Sequence, residues 1–412
     1  MVGIFQKYLV ESKIFTKNRD ILRPSYVPDK LPHREREIRM IASVLATALR
    51  GERPSNILIF GKTGTGKTAT VKYIGKEIEN NESGAQVKYI YINCEVVDTN
   101  YSILANIGNT FIDKWAERIP FTGWPLESVY SKLLEVVDKA GMVVIVVLDE
   151  IDKLVYKSGD DVLYNLLTVN DYFESSKLSI IGISNDLKFV EFLDPRVRSR
   201  LGEEKIVFPP YNADELKDIL KQRAEEAFLE GAISDEVISL CAALAAQEHG
   251  DARRALDLLR VAGELAERDG VDEVTKDYVY LAKNKIELDC IAEVIRTLPL
   301  HSKIVLAGVV LLKEAGHDKL TTGQVYDAYK IICGQLSLNP LTQRRITDII
   351  SELDMLGIIN ARVVSRGRYG RTKEIMLSVP STDVKGIIEE DEVLREASRA
   401  VSVPIIRQIT LI

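Results

Sequence analysis

Two hydrophobic periods alternate along the chain. Short apolar runs rich in Val and Ile fall at 56–60, 87–93, 143–149, 178–184 and 205–208. Between them, apolar residues recur at the three- and four-residue spacing of amphipathic helices. The run MVVIVVL ends in Asp149 and Glu150, and an unbroken apolar run is what a central parallel strand, covered on both faces, requires. The five runs predict a parallel sheet, closed by Pro209 and Pro210. From Asn212 to about Lys285 the pattern is helical: NADELKDILKQ opens with an Asn cap ahead of acids, and the next two helical stretches stop at Gly250 and Gly270. After Leu288, further helical segments lead to PLTQRRITDIISELDMLG, which turns Ile346, Ile349, Ile350 and Leu353 inward. IINARVV and EIMLSV then read as a two-stranded hairpin, giving a winged helix. The expected divisions are 1–209 for the α/β sheet domain, 210–287 for a helical lid, 288–385 for the winged helix and 386–412 for a tail.

One region departs from a simple alternation. Between Asn93 and Met142 two helical patterns, Ser102–Glu117 and Leu126–Lys139, are joined by RIPFTGWPLE, although a parallel crossover needs only one helix.

Composition narrows the class. At 412 residues, 46% hydrophobic and 28% charged, the chain reads as a soluble globular protein of two or three domains. Its apolar runs fall short of the ~20 residues of a membrane helix, and the N-terminus lacks a signal-peptide pattern. A cytoplasmic protein is expected. Cys94, Cys241, Cys290 and Cys333 form no Cys-x-x-Cys pair and the histidines complete no zinc pattern, so buried reduced thiols are expected. The net charge of -7 argues against a nonspecific polycation. Against that background SRGRYGRTK, at 365–373, concentrates Arg366, Arg368, Arg371 and Lys373 around Tyr369. Taken alone, it could be a solvated turn.

The chemistry lies at strand ends. In FGKTGTGKTA a strand enters a glycine-rich turn and leaves as a helix. Residues Gly61, Lys62, Thr63, Gly64, Thr65, Gly66, Lys67, Thr68 and Ala69 therefore read as a phosphate cradle, in which backbone N–H groups and a helix N-terminus converge on phosphate. Lys67 would reach the β and γ phosphates and Thr68 would be a Mg²⁺ ligand. Asp149 would hold Mg²⁺ through its water shell, and Glu150 would polarise the attacking water. Asn185, after LSIIGIS, falls at the same sheet edge, where it could orient water or simply form a turn. Arg196, Arg198 and Arg200 in DPRVRSRLG could serve a neighbour's phosphate or only the surface; Arg196 is the candidate carried as catalytic.

The order GKTGTGKT, VLDEID, GISN, DPRVRSRLG, FPPYNADEL and GDARRALDLLR resembles AAA+ ATPases. Within them it is similar to the archaeal initiators related to the eukaryotic origin recognition complex and the cell-division-control helicase loader. The resemblance implies that VPDKLPHR, with Val27, Pro28 and Arg34, wraps the adenine. It implies that Tyr211 and Arg223 touch the nucleotide and that Arg253, rather than Arg254, senses its phosphates. Ser199-Arg200-Leu201 only partly echoes the Ser-Arg-Cys triplet of clamp-loader relatives. The additional helix matches an initiator-specific insertion with Thr122, Gly123 and Trp124 at a DNA-contacting tip. In the winged helix, Gln343, Arg344 and Arg345 begin the recognition helix, where arginine can read guanine and glutamine adenine. Arg366, Arg368, Tyr369, Arg371 and Lys373 would form the wing.

The expected function is an initiator that binds origin duplex DNA under ATP/ADP control and helps recruit or load the replicative MCM helicase. It would be a weak Mg²⁺-dependent ATPase, with a second initiator subunit on adjacent DNA as a further partner and no membrane association. Two alternatives stay open: a nucleotide-responsive transcription regulator and a clamp-loader-like machine. Promoter-only binding would mark the first, and fast DNA-stimulated turnover in a ring the second.

Overall fold

The structure is a computed structural model that describes residues 12–16, 18–81, 85–365, 371–392 and 394–395. The chain forms two compact units, Met1–Ala282 and Lys283–Ile412.

The first unit is built on α1 (Glu35–Leu45), β1 (Ile57–Gly61), α2 (Lys67–Glu79), β2 (Val87–Asn93), α3 (Asn100–Asn109) and α4 (Leu126–Ala140), followed by β3 (Val143–Asp149), α5 (Ile151–Ser158), α6 (Asp161–Thr168), β4 (Lys177–Ser184), α7 (Pro195–Leu201) and β5 (Glu204–Phe208). The five strands are parallel, in the order β2-β3-β4-β1-β5. Every residue of β3 is buried, as its composition predicts. Because successive side chains alternate faces, Val144, Val146 and Leu148 join a core with α3 to α7, while Val143, Ile145 and Val147 face α1 and α2. In register, Asp149 lies opposite Asn93 on β2 and Ile183 on β4. The C-terminal strand ends thus gather Gly61, Asn93, Asp149 and Ser184 along one edge, where open α/β sheets bind ligands.

The inserted helices are unequal. Helix α3 ends at Asn109, well before the expected Glu117, and Trp115–Glu117 forms only a 3-10 turn. Asn109 explains the stop: its side-chain amide donates to Ile119 O at 2.9 Å and accepts from Ile119 N at 2.7 Å. It replaces the next helical turn with a pinned loop.

Helices α8 (Ala213–Ala227), α9 (Asp235–Gln247), α10 (Ala252–Asp269) and α11 (Lys276–Thr297) follow. Asn212 and Glu215 form a reciprocal capping box at the start of α8. Phe15 is bridged antiparallel to Phe228 after α8, with ring centroids 4.8 Å apart, so the N-terminal segment is stitched to the helical part of the unit. The division between compact units falls inside α11, which runs without a break through 287–288.

The second unit continues with α12 (Leu300–Glu314), β6 (Leu320–Thr321), α13 (Thr322–Gln335), α14 (Gln343–Met355), β7 (Ile359–Ser365), β8 (Arg371–Leu377) and α15 (Ser381–Ile388). The expected two-stranded hairpin is a three-stranded sheet, β6-β8-β7. Leu320 and Thr321 pair with Ile375 and Glu374 while Thr321 also caps α13; so short a strand leaves no periodicity to read. Helix α15 buries Val384 and Ile388 in the same core and crosses the expected limit at 385. Cys94, Cys241 and Cys333 are buried, but Cys290 is exposed, contrary to expectation, on α11.

Candidate nucleotide site and nucleic-acid interface

The turn between β1 and α2 takes its shape from two left-handed glycines, Gly64 (φ 71°) and Gly66 (φ 87°). A Cβ at Gly64 would collide with the Asp251 carboxylate, and one at Gly66 would lie 2.6 Å from the Tyr211 hydroxyl. Neither position tolerates another residue without displacement. The Thr65 hydroxyl donates to Lys62 O at 2.9 Å and closes the turn from within.

The turn frames a cleft of about 390 Å³ lined by Thr63–Ala69, Asp149, Glu150, Asn185, Tyr211, Arg223 and Arg253. Pro24–Pro28 with Leu31 and Pro32, and Lys72, Tyr91, Asn93 and Glu95, also line it. The Lys67 ammonium donates to Gly61 O and Lys62 O, both at 2.7 Å, and to Asn185 Oδ1 at 2.8 Å. Burial lowers its pKa to about 8, with Arg253 pushing the same way and Asp149 opposing. The Asp149 Oδ2 atom accepts from the Thr68 hydroxyl at 2.7 Å and from the Tyr91 hydroxyl at 2.6 Å, and Oδ1 accepts from the Glu150 N–H at 3.0 Å. Glu150 adopts φ 56° at the head of α5, a costly backbone state for a non-glycine residue and one that clusters at functional sites. Burial first, then Glu95 and Asp149, raises its pKa.

The helical half of the unit closes on this turn. Ala252 N donates to Gly64 O at 3.1 Å, placing the start of α10 directly on the loop. Asp251 caps that helix by accepting from Arg253 N at 2.7 Å. Tyr211 N donates to Gly250 O at 3.3 Å. On α8, Arg223 donates to Ile21 O at 3.2 Å and stacks on Tyr26, 4.8 Å from the ring centroid; burial lowers its pKa. His33 Nε2 lies 2.9 Å from Asp218 Oδ2. Among the described residues no three His, Cys, Asp or Glu side chains form a metal site. The Thr68 and Asp149 oxygens fit a Mg²⁺ ion that takes its other ligands from phosphate and water.

In the second unit, Thr342 caps α14, and Gln343, Arg344 and Arg345 are exposed ahead of the buried Ile346, Ile349, Ile350 and Leu353. Arg345 pairs with Glu352 at 3.3 Å. Across the hairpin Ser365 pairs with Arg371 and Val363 with Lys373. Lys373 donates to Ser351 on α14 at 2.5 Å.

Family models match the chain in three consecutive stretches: ATPase family associated with various cellular activities (AAA) over 57–209, Cdc6 AAA+ ATPase-type lid domain over 217–284, and CDC6, C terminal winged helix domain over 293–386. An ORC1-type DNA replication protein of Thermococcus kodakarensis is 57% identical over 395 residues, 95% of either chain. The chain belongs to the ORC1-type DNA replication protein family. Another family member, from Pyrococcus furiosus, is 57% identical over 94% of this chain and 93% of its own. The structure of the Aeropyrum pernix ORC1 protein in complex with DNA superimposes with a TM-score of 0.78, at 48% identity, over 94% of this chain and 100% of that one.

Within this ORC1-type frame, the structure brings Thr63–Ala69, Asp149, Glu150, Asn185, Tyr211, Arg223, Arg253, Val27 and Pro28 to one cleft. Gly61 and Lys62 serve it only through carbonyls that hold Lys67. Arg34, expected at the adenine, lies instead behind the loop, because its guanidinium is drawn to buried carbonyls. Arg196 is exposed outside the cleft, bonded to Asp194 at 3.0 Å and over the Tyr164 ring. In the insertion Thr122, Gly123 and Trp124 are exposed. Arg366, Arg368 and Tyr369 lie outside the described residues, as does the Arg371 side chain. Sequence reasoning missed Tyr91 and Lys72, which stack at 4.3 Å beside Asp149. Tyr91 could have been found by register, two residues before the strand end, on the same face as Asn93. Trp115 and Phe121 also stand exposed in the insertion; no motif marks either residue.

Proposed function

We propose that this chain binds and slowly hydrolyses ATP in the cleft, and that the nucleotide state governs its grip on origin duplex DNA, where it helps recruit or load the replicative helicase. The observation that carries the reading is the meeting of β1, β3, β4 and α10 at one phosphate-sized cradle: Lys67 bonded to Asn185, Thr68 to Asp149, and the head of α10 to Gly64. A ligand there touches both the sheet and the helical lid, so replacing a triphosphate by a diphosphate changes what the Arg253 end of α10 can hold.

The residues divide the work. Pro24–Pro28, Tyr26 and Arg223 enclose the base; Lys67, Arg253 and the N-terminus of α2 hold the phosphates. Thr68 and Asp149 would hold Mg²⁺, which when bound would neutralise phosphate charge. Glu150 orients and accepts a proton from water, and its raised pKa suits a base. Asn185 fixes Lys67 and the same water. In the second unit, Gln343, Arg344 and Arg345 approach the major groove while the hairpin tip and the insertion meet phosphate. The A. pernix ORC1–DNA complex supports this part of the reading. Because Arg196 points away from its own cleft, it would act only on a second copy. The test is single-turnover ATP hydrolysis and binding of origin duplex, by the full chain and by Lys67→Ala; equal DNA binding in ATP and ADP would overturn the switch.

A further inference from the structure

Arg34 is 2% exposed and heads the largest fully buried side chains among the described residues. Its Nε donates to Thr65 O at 2.9 Å, Nη1 to His33 O at 3.1 Å and Nη2 to Pro209 O at 2.7 Å. The guanidinium carbon lies 3.8 Å from the Tyr211 ring centroid and 5.6 Å from that of Phe208. Among the described residues its partners are carbonyls and rings, with no carboxylate in an ion pair. A buried cation held by carbonyls rather than by a direct ion pair is costly, so a role confined to filling space would be better served by an apolar side chain.

The Thr65 carbonyl shows what the charge is for. No peptide in the described chain is cis, and in a planar trans peptide the C=O and the following N–H point in opposite directions. The Thr65 carbonyl is drawn toward Arg34, away from the cleft that Gly66 lines, which turns the Gly66 N–H to the cleft side. The Thr65 hydroxyl and the Ala252 N–H fix other parts of this turn, and the Arg34 bond fixes the Thr65–Gly66 peptide, which lies between two glycines that accept either sign of φ. A charged donor on the carbonyl also polarises the same peptide and strengthens its N–H as a donor. Two of its further contacts reach the connection between β5 and α8: Nη2 bonds Pro209, which ends the sheet domain, and the guanidinium stacks on Tyr211, which precedes the Asn212 cap of α8 and has its hydroxyl against Gly66.

We propose that Arg34 is a positioning residue of the phosphate-binding loop: from behind, it aims and polarises the Thr65–Gly66 peptide toward phosphate, and it makes that alignment depend on the Pro209–Tyr211 connection between β5 and α8. The inference rests on the nucleotide-site reading above. A residue that aims a phosphate-facing N–H affects ligands according to their phosphates, whereas one that merely supports the fold affects all ligands alike.

The experiment is calorimetric titration of the full chain with ADP and with AMP, in wild type, Arg34→Met, Arg34→Lys and Lys67→Ala. Arg34→Met is expected to weaken ADP by about tenfold or more, the scale of one lost charge-assisted interaction, while AMP weakens less than about threefold. Arg34→Lys, which keeps the charge but cannot reach three carbonyls at once, should fall between and serves alone if the Met variant does not fold. An unchanged ADP-to-AMP affinity ratio in the variants, whether both ligands weaken equally or neither does, overturns the proposal. If wild type binds no ADP, or Lys67→Ala binds it undiminished, the nucleotide-site reading itself fails; that outcome is distinct from a loss confined to the Arg34 argument.

Discussion

The phosphate cradle and the recognition helix both depend on cations, yet they hold them in opposite ways. In the cradle Lys67 is buried under three hydrogen bonds, to Asn185 and to the Gly61 and Lys62 carbonyls, all three at or just beyond strand ends. On α14, Arg344 and Gln343 stand in solvent, and Arg345 has one acidic neighbour, Glu352. On the function proposed above, the difference follows from the ligands. A triphosphate is small and needs donors set in advance, with little reorganisation left to perform. Duplex DNA is a regular polyanion that rewards any accessible cation by counterion release, so its cations can stay mobile and solvated until contact.

The contrast can be broken at several points, beginning with the largest effect. Glu150→Gln should retain ADP binding and lower single-turnover ATP hydrolysis by about 10²–10⁴-fold, the range for a lost general base; unchanged turnover would remove Glu150 from the reaction. Lys67→Ala should weaken ADP by about 100-fold, two or more charge-assisted bonds at once, with the fold retained by circular dichroism. On the exposed side, Arg344→Ala should lower the slope of log affinity against log salt by about 0.9, one phosphate contact. Arg345→Ala should lower it less, because Glu352 already neutralises part of that charge. A slope unaffected by Arg344→Ala would take α14 out of the interface.

The smallest effect is on pH. Lys67 titrates near 8 in the folded chain against an ordinary 10.5. Below pH 8 both folded and unfolded chains carry the proton, and the full cost of burying the ammonium is present. Between 8 and 10.5 the unfolded chain binds more protons, so that cost is relieved and stability rises with pH. Nucleotide binding runs the other way: phosphate requires the ammonium, so ADP affinity should fall above pH 8 and binding should take up a proton. Calorimetry in buffers of different ionisation enthalpy reads that uptake directly; no uptake at pH 9 would contradict the buried-lysine geometry.

The same contrast explains how far the sequence could be read. Strands with one fixed environment announce themselves: VVIVVLD is buried along its whole length, and its terminal acids fall at the ligand edge by geometry. The Lys67 cluster was legible because a loop built on Gly64 and Gly66 requires those residue types at that spacing. Arg34 was assigned to the adenine because its position in VPDKLPHR carries no information about which way its side chain turns, and only the tertiary placement of the Thr65, His33 and Pro209 carbonyls decides it. Tyr91 was overlooked for a related reason, since a strand tyrosine looks like core until its hydroxyl is seen on Asp149. Helix α3 was read too long because Asn109 stops it with a long-range amide contact that leaves the apolar period intact. Three-stranded pairing through Leu320 and Thr321 likewise depends on a partner more than fifty residues away.

On the proposed function, nucleotide in the cradle governs the hold of the winged helix on DNA. A footprint of the full protein on chromosomal DNA, taken in ATP and in ADP, tests it most directly. Protection concentrated at replication start regions, and altered between the two nucleotides in wild type but not in Lys67→Ala, is the predicted result. Protection that is identical in both nucleotides, or confined to promoters, would contradict it.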